Sequence, residues 1–152
     1  MTFEQTIELP AAPDAVWAFV MDVPSVAACM PGTQGVTPLG DDRYAATVKV
    51  KVGPIGLTLQ SEIVIVSADP ATRTAALRME AADKRVGGAV KATITMQLEP
   101  ADAGTRMRIT TDATIMGRIG DFGQPMIRKK ADQMLSETGA AMRAALATHN
   151  AP

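Results

Sequence analysis

Aromatic side chains are scarce in this 152-residue chain: Phe3, Trp17, Phe19, Tyr44 and Phe122 are all there are. Cysteine and histidine occur once each, as Cys29 and His149. A lone cysteine closes no internal disulfide, and a single histidine beside the last residues supplies neither a histidine-based triad nor a zinc site. No run approaches the roughly 20 apolar residues that cross a bilayer. Nor does a basic start followed by an apolar segment and a cleavage site mark secretion. The 15 basic and 16 acidic residues leave a net charge of −1, which gives no field to recruit nucleic acid. These absences point to a cytoplasmic protein with no metal and no nucleic-acid partner. They also leave few groups for acid–base or nucleophilic chemistry.

What the chain has instead is methionine, ten of them. Met is unbranched and polarizable, so an interior rich in it adapts to irregular contents, although such cores also occur without any function. The length suits one domain with a real core, expected over 1–148, followed by a short tail 149–152 without a membrane anchor. Residues 2–9, TFEQTIEL, alternate with Phe3, Ile7 and Leu9 on one face and Gln5 as the polar intruder on it. The period then changes. Pro13 and Pro24 each open a short helical segment, and Met30-Pro31-Gly32 ends the second.

From there to residue 116 the chain alternates between turns at Gly40-Asp41-Asp42, Gly53-Pro54, Asp69-Pro70, Gly87-Gly88 and Asp102-Ala103-Gly104. One parity is apolar, with Val48, Val50, Leu59, Met79, Met96, Met107 and Ile109 among its members. The other carries Lys49, Lys51, Glu62, Arg78, Glu80 and Arg108. A curved antiparallel sheet with one dry face follows. Residues 124–147 hold the remaining long helical pattern, with Ile127, Ala131, Met134, Thr138, Ala141 and Ala145 in one stripe and Met126 and Met142 at its edges. Strand, two short helices, six strands and a long last helix make an α+β, helix-grip arrangement: a seven-stranded antiparallel sheet wrapped around the C-terminal helix.

The stretches VWAFVMDVPSVAACMPGTQGV (16–36), YAATVKVKVGPIGLTLQSEIVI (44–65), GGAVKATITMQLEP (87–100) and GTRMRITTDATIMGRIGDFGQPMIRKKADQ (104–133) resemble the carbon monoxide dehydrogenase CoxG family. That family lies within the START-like, polyketide-cyclase-like SRPBCC superfamily. The resemblance covers essentially the whole chain, and the CMPG corner combined with KVKVGPIG is its most specific part. It implies an accessory of molybdenum hydroxylases of the carbon monoxide dehydrogenase type, one that carries a lipophilic ligand, with a respiratory quinone as the expected class, and helps recruit its dehydrogenase to the membrane. Longer members carry a linker and an apolar tail, whereas this chain ends at THNAP. Contact with the inner face of the cytoplasmic membrane is therefore expected to be peripheral and reversible.

A non-enzymatic carrier is the leading expectation, with no catalytic residue, no metal and no covalent cofactor. A polyketide cyclase or aromatase, and a ligand-free assembly module, are the alternatives. The expected cavity is lined by Phe19, Met30, Val50, Leu59, Met79, Met96, Met107, Ile109, Met126 and Met134, all on the dry parity or the apolar helical surface. Gln5, Ser61 and Thr111 are the candidate polar contacts, either to a ligand oxygen or to one another. Gly117, Gly120, Phe122 and Gly123 form a candidate gate before the covering helix, because glycines and a proline weaken a helix start. Arg118, Arg128, Lys129 and Lys130 are the candidate membrane contacts. Cys29 reads as structural, and Asp83, Lys84 and Arg85 read as a solvated turn.

Overall fold

The computed structural model describes residues 1–149, with side chains through Ala147; the His149 side chain and residues 150–152 of the expected tail lie outside the described residues. Strand β1 (Thr2–Leu9) leads into two short helices, α1 (Pro13–Val20) and α2 (Val23–Cys29). Six strands follow: β2 (Thr33–Gly40), β3 (Arg43–Val52), β4 (Ile55–Asp69), β5 (Thr74–Ala82), β6 (Gly88–Ala101) and β7 (Gly104–Gly117). A 3-10 turn, Arg118–Phe122, then joins the sheet to the long helix α3 (Gln124–His149). The strands form one antiparallel sheet in the order β1-β7-β6-β5-β4-β3-β2. This is the helix-grip arrangement that the alternating pattern predicts.

The proline-started helices need no side-chain cap, since Pro occupies the first turn of both and lacks the N–H that would otherwise go unpaired there. The CMPG corner has a steric cause. Gly32 sits at φ +84°, and a Cβ there would collide with the Lys49 carbonyl. The Gly32 carbonyl in turn accepts the Lys49 N–H at 2.8 Å, so the corner is stitched to β3 where β2 begins.

Register turns the alternating pattern into rows that run across the sheet. One row holds Leu98, Met107 and Ile7, and the next holds Thr105 and Leu9. These residues, with Ala11, Val16, Met142 and Leu146, make one tightly packed core at one end of the sheet. Leu146, Val16 and Thr105 are fully buried there. Thr105 also donates to the Ala11 carbonyl at 2.6 Å, fastening β7 to the chain that leaves β1. The last half of α3 covers this core, with Gly139 lying against Ile7. The buried stripe of α3 is thus centred differently from the expected one. Met142 lies at its middle rather than its edge, and Leu146, absent from the expected stripe, is its anchor.

Asp83 is also displaced from expectation. It is buried at 2 % exposure instead of lying in a solvated turn. One carboxylate oxygen accepts the Thr58 N–H at 2.7 Å, and the other accepts the N–H groups of Arg85 and Val86 at 2.8 Å each. The carboxylate therefore closes the β5–β6 turn and ties it to β4. The backbone donors, Val86 foremost and then Thr58, hold its pKa below the ordinary 3.8, against the opposing effect of burial. A depressed carboxylate contributes stability that is present above the unfolded pKa and lost as pH falls through the folded one.

Two outcomes follow. Asp83→Ala lowers Tm at pH 7, and the gap to the parent protein narrows as pH falls below about 4, as followed by thermal melts across pH. Leu146→Ala costs about 2–5 kcal/mol in urea unfolding, the range for truncating a buried leucine.

Candidate functional site

At the other end of the sheet the inward rows hold small side chains. Ser61 faces Ala81, and Ala81 faces Val90. In the adjoining row Met79 faces Ala92, and Ala92 faces Ala113. Alanine and serine reach about one bond beyond the backbone, so α3, held at its far end by Met142 and Leu146, cannot settle onto them. A cavity of about 260 Å³ remains.

Its sheet wall comes from Val48, Val50 and Val52 of β3, Leu59 and Ser61 of β4, Met79 and Ala81 of β5, and the inward residues of β6 and β7 facing them. Phe3 and Gln5 close one side from β1, and Met30 another from the end of α2. Ile127, Lys130, Ala131 and Met134 of α3 form the roof, and Ile119 and Phe122 of the 3-10 turn form one end. The wall is apolar apart from Gln5, Ser61, Thr111 and Lys130. The cavity is partly open to solvent.

Met30, Val50, Leu59, Met79 and Met134 stand on the wall where the dry parity and the helix stripe place them. The other five expected lining residues do not. Met107 is buried in the packed core, and Phe19, Met96 and Ile109 pack against that same core. Their parity is right, but the row of Met96 and Ile109 lies between the cavity and the core. Alternation tells which face a residue occupies and not how far along the strand the hollow extends. Met126 is 44 % exposed, beside Gly53 at the β3–β4 turn.

The three polar candidates all reach the cavity. Gln5 donates through its amide nitrogen to Asp132 of α3 at 3.1 Å, leaving its carbonyl oxygen unengaged. Ser61 and Thr111 do not satisfy each other: they stand on β4 and β7, with two strands between them, and neither hydroxyl bonds a protein group.

The four basic candidates separate. Arg128 stacks over the Phe3 ring at 5.0 Å and donates to the Thr2 carbonyl, so it braces α3 against β1. Lys130 joins the cavity roof. Arg118 and Lys129 remain exposed.

The expected gate is wound into the 3-10 turn, with Ile119 only 5 % exposed and its main chain fixed by the Arg118 N–H to the Gly87 carbonyl at 2.9 Å. Gly117 and Gly123 both hold positive φ, which ties them to turning the chain; Gly120 does not. Cys29 packs against the core, and burial pushes its thiol pKa up, the direction of an inert cysteine. Among the described residues no group of three or more His, Cys, Asp or Glu could hold a metal ion, and no helix is long and apolar enough to cross a membrane. Lys130, expected as a membrane contact, is thus also a cavity-lining residue, which the sequence did not indicate.

Solved structures share this fold. A conserved protein from Geobacillus kaustophilus superposes with a TM-score of 0.88 at 21 % identity, over 97 % of this chain and 96 % of that one. A START superfamily protein from Mycobacterium smegmatis gives 0.72 at 12 % identity, over 98 % and 99 %. The Zhui aromatase/cyclase from Streptomyces sp. R1128 gives 0.67 at 22 % identity, over 95 % and 92 %. At these identities the likeness carries the fold alone. No curated protein matches the chain. The family model for the carbon monoxide dehydrogenase CoxG subunit matches residues 6–147, and by that match, on a START-like helix-grip fold, the chain belongs to the carbon monoxide dehydrogenase CoxG family.

Proposed function

We propose that the protein binds and carries a lipophilic small molecule, of the respiratory quinone class, as a non-catalytic accessory to a molybdenum-containing carbon monoxide dehydrogenase-type hydroxylase. The observation that carries this reading is the hollow beneath the first half of α3: an apolar space that the chain's own side chains leave unfilled. An apolar cavity of about 150 Å³ stays dry and takes up benzene, so one of about 260 Å³ suits a ring system of one or two rings, or a medium chain. A long isoprenoid tail exceeds it and would leave through the open side. Each buried methylene contributes about 0.8 kcal/mol, so some ten buried carbons supply roughly 8 kcal/mol before the cost of association. The free hydroxyls of Ser61 and Thr111 offer donors to a ring carbonyl. Met30, Met79 and Met134 offer walls that rearrange around a guest.

A cyclase or aromatase is the second reading, favoured by the fold shared with the Zhui enzyme. Against it, Lys130 is the one titratable side chain on the cavity wall, whereas cyclisation needs placed acids and bases. A polyketide turned over by the isolated protein would establish that reading in place of the carrier.

For delivery we place the open side of the cavity against an anionic membrane. Met126 and Ile55, at 44 % and 39 % exposure, are apolar groups by the β3–β4 turn, and Lys129 of α3 and Arg118 of the preceding 3-10 turn are exposed. A basic residue at such a surface contributes about 1 kcal/mol. Entry would pass the 3-10 turn that precedes α3.

Ala92→Leu fills the hollow from its floor. It is expected to keep the fold by circular dichroism and to lose any lipophilic molecule that native mass spectrometry finds on the parent protein. Unchanged loading in that variant contradicts the carrier reading. Cosedimentation with vesicles containing anionic lipid is expected to fall with added salt, and to fall several-fold in a variant with Arg118→Gln and Lys129→Gln. Binding indifferent to both contradicts the membrane encounter.

A further inference from the structure

Lys130 is a charged group without a protein partner on a wall whose other polar side chains are the neutral Gln5, Ser61 and Thr111. The carboxylates of the outer sheet face show the contrast: Glu8 and Glu99 are engaged by Arg106 and Arg108, and Glu62 by Arg43. On α3 the positions one turn from Lys130 are Met126, Ile127, Gln133 and Met134, so no carboxylate stands where helical spacing would put a partner. Asp132 lies about 200° around the helix from Lys130 and is taken by Gln5. Arg128 and Gly139 mark the flank of α3 that faces β1. Helical spacing turns Lys130 to the opposite flank, towards α2 and β3, which α3 also contacts. Lys130 is half-buried and lines the cavity roof, where a long stem can cover apolar surface while its ammonium stays hydrated.

We propose that Lys130 holds the head of the bound molecule, and that the ligand class is an amphiphile with an electron-rich oxygen at one end: a carboxylate binds most strongly and a quinone or quinol oxygen less so. The ligand's oxygen head then lies beside Lys130, with the body of the molecule over Ala92 and Ala113 and any longer tail leaving through the open side. This rests on the carrier reading and gives it a polarity. An ammonium donates a charge-assisted hydrogen bond to either head, and a carboxylate adds the attraction of opposite charges that an alcohol lacks. The cavity should therefore separate two ligands that differ in the head alone.

The probes are decanoate, decanol and the ring compound menadione, titrated calorimetrically at pH 7 into the parent protein and into Lys130→Met and Lys130→Arg. Methionine preserves the length and apolar contact of the stem while removing the charge. The expected result is that decanoate binds the parent about tenfold more tightly than decanol. Lys130→Met is expected to erase that preference by weakening decanoate far more than decanol, and to weaken menadione a few-fold, whereas Lys130→Arg keeps the preference. If the parent binds acid and alcohol alike, or if Lys130→Met keeps the preference, Lys130 merely reaches into water and the inference is wrong, while the carrier reading stands. If none of the three probes binds the folded parent protein, the carrier reading fails and this inference fails with it.

Discussion

A helix can close onto a sheet only as far as the side chains between them allow, and here that distance is set at one end. Leu146 and Met142 of α3 are locked among Ile7, Leu9, Val16, Leu98 and Met107, at interior packing that tolerates little displacement. With its second half fixed in this way, α3 runs out over rows whose inward residues include the small Ser61, Ala81, Ala92 and Ala113. The cavity is the geometric remainder: a rigid roof anchored over a filled core, projecting across a floor too shallow to meet it. The core that anchors α3 and the rows that line the hollow lie at different ends of one sheet, and lining residues such as Val48, Val50, Ile119, Phe3 and Ala113 are themselves buried in smaller hydrophobic clusters.

Other features serve this arrangement. Gly139 of α3 lies against Ile7 of β1, which joins the anchor. Arg128, over Phe3 and bonded to Thr2, steadies the projecting half from the β1 side. Ile119 and Phe122 stop one end of the hollow from the 3-10 turn. The three backbone bonds to Asp83 keep the nearby β5–β6 turn against β4. The ion pairs of the outer face, such as Arg106 with Glu8, are exposed and add little, as surface pairs generally do.

The fold was legible because its two periods are clean: alternation over residues 43–116 and an amphipathic stripe after residue 124 suffice for a curved sheet and a covering helix. The site was legible by half. Parity placed Val50, Leu59 and Met79 on the inner face and the helical period placed Met134, but the same reasoning admitted Met96, Met107 and Ile109, which share that face one or two rows away. Separating them requires cross-strand register, which no single strand encodes. Lys130, expected as a membrane contact, also lines the cavity roof: in RKK the sequence shows three adjacent cations, and residue type does not tell which of them reaches the hollow. Asp83 escaped because its partners are backbone N–H groups, which leave no mark on residue type.

The central claim is that the space beneath the first half of α3 is a ligand site and not a gap awaiting side-chain collapse. A crystal structure of the protein purified from cells with its lipids retained addresses this most directly. The account predicts continuous density for an apolar molecule between Met134 and the Ala92 and Ala113 floor, with Leu146 and Met142 packed as described. Met79, Met30 and Met134 folded inward to fill that space, with no bound molecule, would contradict it.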